Sequence, residues 1–162
     1  MANSLGPKLP QDLFRRLSEE RDTSTQRVIV FTTVDEDGFP RHAMLSRNEL
    51  VARDETTMLM LTYENSRSTR NLLREGIVTL LFIDEEMSYY VRAKCERVGG
   101  GRLVGAPLET IFRVKVVDVV EDRLASATIT SGIKFSGYDP GMTKEEREIV
   151  RSNLFRTSIH QP

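Results

Sequence analysis

An antiparallel β-barrel with a few short helices is the fold class that this sequence predicts. Three observations carry it. Six apolar runs have strand length, and several alternate with a period of two. Turn signals built from Gly, Pro, Asp and Asn stand between the runs. The connections are too short for repeated parallel crossovers, each of which needs roughly a dozen residues or more. The chain is therefore read as mainly β and as a single domain over residues 1–162, long enough to bury a real core.

The elements follow in order. Residues 1–10 hold Gly6, Pro7 and Pro10 and predict a loosely ordered N-terminus. "DLFRRLSEE" (12–20) places Leu13, Phe14 and Leu17 at helical spacing. "RVIVFTTV" (27–34) is dense in β-branched residues and predicts a strand. "DEDGFP" (35–40) predicts a hairpin turn, with Gly38 free to take a positive φ, and "RHAMLS" (41–46) is the return strand. "RNELVARDETT" (47–57) reads as a loop with at most a short strand piece, and "MLMLTY" (58–63) as the third strand. An arginine-rich helix comes next. "IVTLLFID" (77–84) is apolar on both faces, which predicts core on one side and a partner subunit on the other. "SYYVRAKCERV" (88–98) alternates as a half-buried strand, with Cys95 on the inward face as a small buried hydrophobe. "GGGRLVGAP" (99–107) is a breaker-rich connection, and "TIFRVKVVDVVED" (110–122) alternates again. Residues 124–137 are polar and give no clear pattern, and "KFSGYDPGM" (134–142) is a turn-rich loop. A docking helix over 143–156 closes the chain, opened by a Thr143/Glu146 capping box and striped by Ile149, Val150, Leu154 and Phe155.

Composition excludes several function classes. The formal net charge is −1, whereas domains that bind the nucleic-acid backbone carry a clear basic excess. Cys95 is the sole cysteine, so no intrachain disulfide forms, and with only His42 and His160 a Cys/His zinc site is not expected. No run approaches the roughly 20 apolar residues of a spanning helix. No signal-peptide pattern opens the chain, so a cytoplasmic protein without nucleic-acid or membrane partners is expected. "GGG" at 99–101 lacks the strand–helix context of a dinucleotide loop.

One segment asks for a ligand. "TYENSRSTRNLLREG" (62–76) puts Arg67, Arg70 and Arg74 on one helical stripe directly after a strand. With Ser66 or Asn65 as N-cap, residues 67–69 fill the first turn, where backbone N–H groups lack intrahelical partners and the dipole is positive. Such an end takes an anion, and Arg67 adds a fork that grips phosphate. Ser66, Ser68 and Thr69 add hydroxyls. The alternative is a solvated face with Glu64 and Glu75 as counter-charges. If strands 41–46 and 58–63 lie side by side, Arg41 or Ser46 reaches the same anion.

The series "DEDGFP", "RHAMLS", "TYENSRSTRNL", "IVTLLF" and "YYVRAKCERV" resembles the pyridoxamine 5′-phosphate oxidase-like FMN-binding split-barrel superfamily, from about Arg27 to Val98 and more loosely through Glu121. The resemblance implies a six-stranded antiparallel Greek-key split barrel of the FMN-binding type. It implies a homodimer with FMN in a cleft at the subunit interface. It places the FMN phosphate on Arg41, Ser46, Ser66, Arg67 and Ser68, with His42, Thr62 and Asn71 completing the expected cofactor contacts. Where the oxidases proper have lysine this chain has Ser46 and Ser68, and its tail lacks the Arg-Leu motif and histidine that grip pyridoxine phosphate. The implied activity is thus an FMN-dependent oxidoreductase acting on another small substrate or on a nicotinamide reductant. The alternative is a non-catalytic flavin- or haem-binding protein of the same fold. No catalytic side chain and no metal ligand is assigned.

Overall fold

The computed structural model describes residues 2–19, 27–101, 108–123, 126–135 and 143–157. Eight strands form one antiparallel sheet. They are β1 (Ala2–Gly6), β2 (Val28–Val34), β3 (Pro40–Ser46), β4 (Leu50–Asp54), β5 (Thr57–Tyr63), β6 (Ile77–Asp84), β7 (Met87–Gly101) and β8 (Glu109–Asp122). Three helices accompany them: α1 (Gln11–Ser18), α2 (Arg67–Glu75) and α3 (Lys144–Arg156). A 3₁₀ turn, Arg47–Glu49, joins β3 to β4.

The strand order is β3-β2-β6-β7-β8-β5-β4, with β1 paired to β8. β3 and β4 are the two ends of this path, so the sheet is curled but not closed: a split barrel. Strands 41–46 and 58–63 are not neighbours. β3 pairs only with β2, whereas β5 lies between β4 and β8. The supposed adjacency of Arg41 and the third predicted strand is therefore corrected.

The long strands make the curl. β8 pairs with β5 from Glu109 to Lys115 and with β1 from Val119 to Asp122. Irregularities between Arg92 and Ala93 and between Arg97 and Gly99 bend β7 against it. Gly99–Gly101, expected to begin a loop, instead continue β7 opposite Ile111–Glu109. Residues 102–107 lie outside the described residues, as does most of "KFSGYDPGM".

To the six strands that the sequence predicts, the sheet adds β1 and β4. β4 is the short strand piece allowed within 47–57, weakly signalled because only Leu50, Val51 and Ala52 are buried before the chain turns polar. β1 has four exposed residues and no apolar period. Its order comes from pairing with β8 rather than from its own side chains, so residues 2–6 are held in the sheet where Gly and Pro content suggested a loose end.

The main core gathers Leu13 and Leu17 of α1, Phe31, Leu45, Met58, Met60, Leu72, Leu80, Val91 and Phe112. A second cluster, Val51, Leu59, Leu61, Ile111 and Leu154, docks α3 on the far side of β4 and β5. The Thr143 hydroxyl accepts from the Glu146 N–H and Glu146 accepts from the Thr143 N–H, which fixes where α3 begins. Val150 and Leu154 are buried while Ile149 faces solvent. Arg151, 1% exposed, donates to the carbonyls of Leu17, Glu19, Arg47 and Leu50, tying α3 to α1 and the 3₁₀ turn.

In β6 one face is core, with Val78, Leu80 and Phe82 buried. On the other face Leu81 and Ile83 are half-buried and Ile77 is exposed. Cys95 packs against the core, and burial pushes its thiol up to about 12.

Candidate functional site

The β2–β3 hairpin and the start of α2 meet at one end of the sheet. Gly38 has φ 84°, as its place in the turn demands, and the Asp35 N–H donates to the Phe39 carbonyl at 2.9 Å. The resulting register sets Thr33 opposite Arg41, so Arg41 leans toward Asp35. Its Nε donates to both Asp35 carboxylate oxygens at 2.8 and 2.9 Å.

α2 starts at Ser66, whose side chain accepts from the Thr69 N–H at 3.0 Å, and ends at Gly76, φ 64°, whose N–H donates to the Leu72 carbonyl. Leu72 is 1% exposed and anchors the helix to the core. The buried Asn71 Nδ2 donates to Thr33 Oγ1 at 3.0 Å and to Asp35 Oδ1 at 2.7 Å. Arg67 approaches Asp35 at 4.0 Å with its side chain 61% exposed.

Asp35 is thus the hub of this corner. The Arg41 guanidinium, then the Asn71 amide, hold its carboxyl down to about 2. A cavity of about 350 Å³ opens beside it, lined by Asp35, Glu36, Asp37, Arg67, Arg70 and Asn71.

The structure divides the predicted site residues into groups. Arg41, Arg67 and Asn71 come together on Asp35. Thr62 and Ser66 instead share a network with Thr69: Thr62 Oγ1 and Thr69 Oγ1 lie 2.7 Å apart, Ser66 Oγ and Thr69 Oγ1 2.9 Å, and Thr69 Oγ1 donates to the Tyr63 carbonyl. These hydroxyls secure the β5–α2 corner. Ser68 is buried in the first turn of α2. Ser46 donates through its N–H and hydroxyl to Glu49 Oε2, at 2.6 and 2.9 Å, as the cap of the 3₁₀ turn. His42 is exposed on the opposite sheet face, its Nδ1 2.9 Å from Thr32 Oγ1.

The arginine stripe is also divided. Arg70 donates to the Asn65 carbonyl at 3.1 Å. Arg74 pairs with Glu75 at 2.7 Å and with Glu36 at 3.7 Å. Glu75 is one of the counter-charges the sequence suggested. Asp35 and Glu36 are not, although the hairpin register that follows from Gly38 contained the signal for Asp35. Among the described residues no group of three or more His, Cys, Asp or Glu is placed to hold a metal ion.

A second feature escaped the sequence reading. Glu109, at the start of β8, is 4% exposed, and its Oε2 has no hydrogen-bond partner among the described residues. Burial, and then the nearby Glu49 carboxylate, push it up to about 7.

Comparison with known proteins agrees with this architecture. A curated Bacillus subtilis protein of uncharacterized function, YclD, is 29% identical over 120 residues, which span 68% of this chain and 71% of that protein. A crystal structure of a Lactobacillus delbrueckii protein provisionally assigned as a pyridoxamine 5′-phosphate oxidase superposes with a TM-score of 0.56 at 17% identity, covering 72% of this chain and 97% of that one. An F420 reductase superposes with a TM-score of 0.51 at 16% identity, covering 68% of this chain and 98% of that one. At such identities the two structures establish the fold alone. The profile of the pyridoxamine 5′-phosphate oxidase family matches residues 18–115. That stretch runs from the end of α1 into β8 and includes every residue of the Asp35 corner, and on this match the chain belongs to the pyridoxamine 5′-phosphate oxidase family.

Proposed function

We propose that this protein binds FMN and acts as an oxidoreductase on a small substrate. The observation that carries the reading is the first turn of α2. The exposed Arg67 fork and Arg70 line an open cavity at a helix start, where first-turn N–H groups lack intrahelical partners and, of these, Thr69 N–H is capped by Ser66.

A phosphate monoester fits these donors, with one change from the expected ligand set. Arg41 is engaged by Asp35, so it supports the site instead of gripping the phosphate. Asp35, Glu36 and Asp37 line the same cavity and oppose a dianion, which sets a modest affinity. When bound, FMN supplies hydride and electron transfer. The chain's own residues bind and orient: Arg67 at the phosphate, Asn71 and Asp35 holding the helix start against β2.

A homodimer with the cofactor at its interface belongs to the proposal. On the sheet face away from the core, strand register brings Met44, Val30, Leu81, Tyr90 and Val120 into one transverse row. Met44 is 60% exposed and the others are half-buried, as a face covered by a second copy requires. The oligomeric state in solution tests this part separately.

The visible spectrum of the purified protein, with FMN added and then dialysed, tests the cofactor. A retained flavin band is expected. Arg67→Ala is expected to weaken FMN about 10- to 100-fold, which is about 1.4 to 2.8 kcal/mol, and to leave riboflavin binding unchanged. Full flavin occupancy in that variant refutes the phosphate assignment. Bleaching of the bound flavin by NADH or NADPH is the expected sign of turnover, and a bound flavin that neither reduces marks a binding protein instead.

A further inference from the structure

The sheet face away from the core carries charge on both sides of its apolar row, and the two sides differ in sign. On one side, strand register sets Ile77, Lys94, Lys115 and Thr57 in a second transverse row. Arg92 stands between the two rows, opposite Thr79 and Asp118. Arg92, Lys94 and Lys115 are exposed, and among the described residues none of the three side chains has an ion-pair or hydrogen-bond partner. Lys94 and Lys115 are direct cross-strand neighbours. Like charges so placed repel, so the fold itself gains nothing from the pair.

On the other side of the apolar row, the β6–β7 hairpin turns at Glu85 and Glu86. Both are exposed, and among the described residues neither side chain has a partner.

The spacing of the two groups is symmetrical. Leu81 and Tyr90 of the apolar row pair with each other. Four residues from them toward one end stand Ile77 and Lys94, and four residues toward the other end stand Glu85 and Glu86. At roughly 3.3 Å per residue, each group lies roughly 13 Å from the row.

A face closed by a second copy of the same chain must be complementary to itself. Two dyads lie in the plane of such a face. A dyad parallel to the strands sets each row against the same row of the second copy. The row of Lys94 and Lys115 holds no carboxylate, so that arrangement turns cations toward cations. A dyad along the apolar row keeps apolar against apolar and reverses the ends. It brings Lys94 of each copy opposite Glu86 of the other, and Ile77 opposite Glu85, with Arg92 adding to the cationic side. Every such contact then occurs twice.

We infer that two copies of this chain pack through this face about a dyad running along the Met44–Val30–Leu81–Tyr90–Val120 row, with Lys94 paired to Glu86 across the interface. This arrangement rests on the homodimer reading above and adds the direction of its axis and the charges that fix it. It also carries the hairpin tip of one copy to the end of the sheet where the other holds its Asp35 corner, so that both copies border the anion cavity.

Sedimentation equilibrium of the full chain, of Lys94→Glu, of Glu86→Lys and of the double variant tests it. The wild type is expected to be a dimer. Each single reversal sets like charges together twice and is expected to raise the dissociation constant about tenfold or more. The double variant restores both pairs with their signs exchanged and is expected to return close to the wild-type value. Both positions are exposed, and thermal melting checks that each variant is folded. Lys94→Gln and Glu86→Gln remove one charge without adding another, and are expected to act in the same direction by less, which keeps the test open should a reversal unfold the chain. A wild type that stays monomeric at micromolar concentration overturns the homodimer reading and the axis together. A dimer that tightens in Lys94→Glu overturns the axis alone, because lysines then face lysines. A dimer indifferent to both reversals, or a double variant no tighter than the singles, likewise overturns the axis and leaves the homodimer standing.

Discussion

Replacing Glu109 with Gln isolates the cost of a buried carboxyl. Glu109 is 4% exposed and burial raises it from 4.5 to about 7, with Glu49 adding to the rise. The folded state then holds a proton that the unfolded state has released, over the window from about pH 4.5 to about pH 7. Stability accordingly falls as pH rises through that window. At about 1.4 kcal/mol per unit, the loss reaches at most about 3 kcal/mol. Gln is neutral throughout and cannot contribute to that slope. Its amide brings its own cost, because a buried NH2 without a partner loses about 1–3 kcal/mol, but that cost is the same at every pH. The assay is urea unfolding of both proteins near pH 5 and near pH 8, comparing how much each loses between the two. The wild type is expected to lose up to about 3 kcal/mol more than the variant. Equal losses would show that Glu109 is ionised in the fold.

Asp35 titrates with the opposite sign. Its carboxyl is held down to about 2 by Arg41 and Asn71, so its contribution is complete above the ordinary carboxylate range and disappears as pH falls toward 2. Asp35→Asn is expected to flatten the acid limb of the stability curve. It is also expected to tighten FMN by freeing Arg41, which fluorescence titration reads directly. Cys95, with its thiol pushed up to about 12, is expected to be inert to a thiol reagent near neutral pH and to react once urea unfolds the chain. Gly76→Ala is expected to cost about 1–2 kcal/mol in thermal unfolding. The residue holds φ 64°, and an added Cβ would meet the Cys95 carbonyl at 3.3 Å.

The parts of the fold legible in sequence are those where one segment carries its own reason. β2 is dense in β-branched residues, Gly38 permits the turn, and Ser66 and Gly76 bracket α2. The parts that escaped depend on a second segment. β1 is polar and becomes a strand only because the end of β8 offers it hydrogen bonds. Glu109 opens an otherwise apolar strand, and nothing near it in sequence says that it will be buried within reach of the Glu49 charge. The anion reading shows both sides of this. The arginines at the start of α2 were visible, but their built-in counter-charge lies thirty-odd residues earlier, on a turn read only for its geometry. Thr62 and Ser46 carried the right chemistry for a ligand and are engaged within the protein instead.

The pairing of β1 with β8 links residues about 120 apart in sequence, Ala2 with Asp122. A contact of that span pays a large loop-closure cost and is repaid only when most of the barrel stands. It is therefore expected to close last and to open first. Amide exchange at Asn3 and Ser4 should outpace that at Val91 by orders of magnitude, so β8 has a margin that is exposed transiently in the native state. An affinity tag placed before Ala2 would load this margin directly, beside Asp122. A tag after the C-terminal helix would leave it untouched, and that is the arrangement in which flavin binding should be measured.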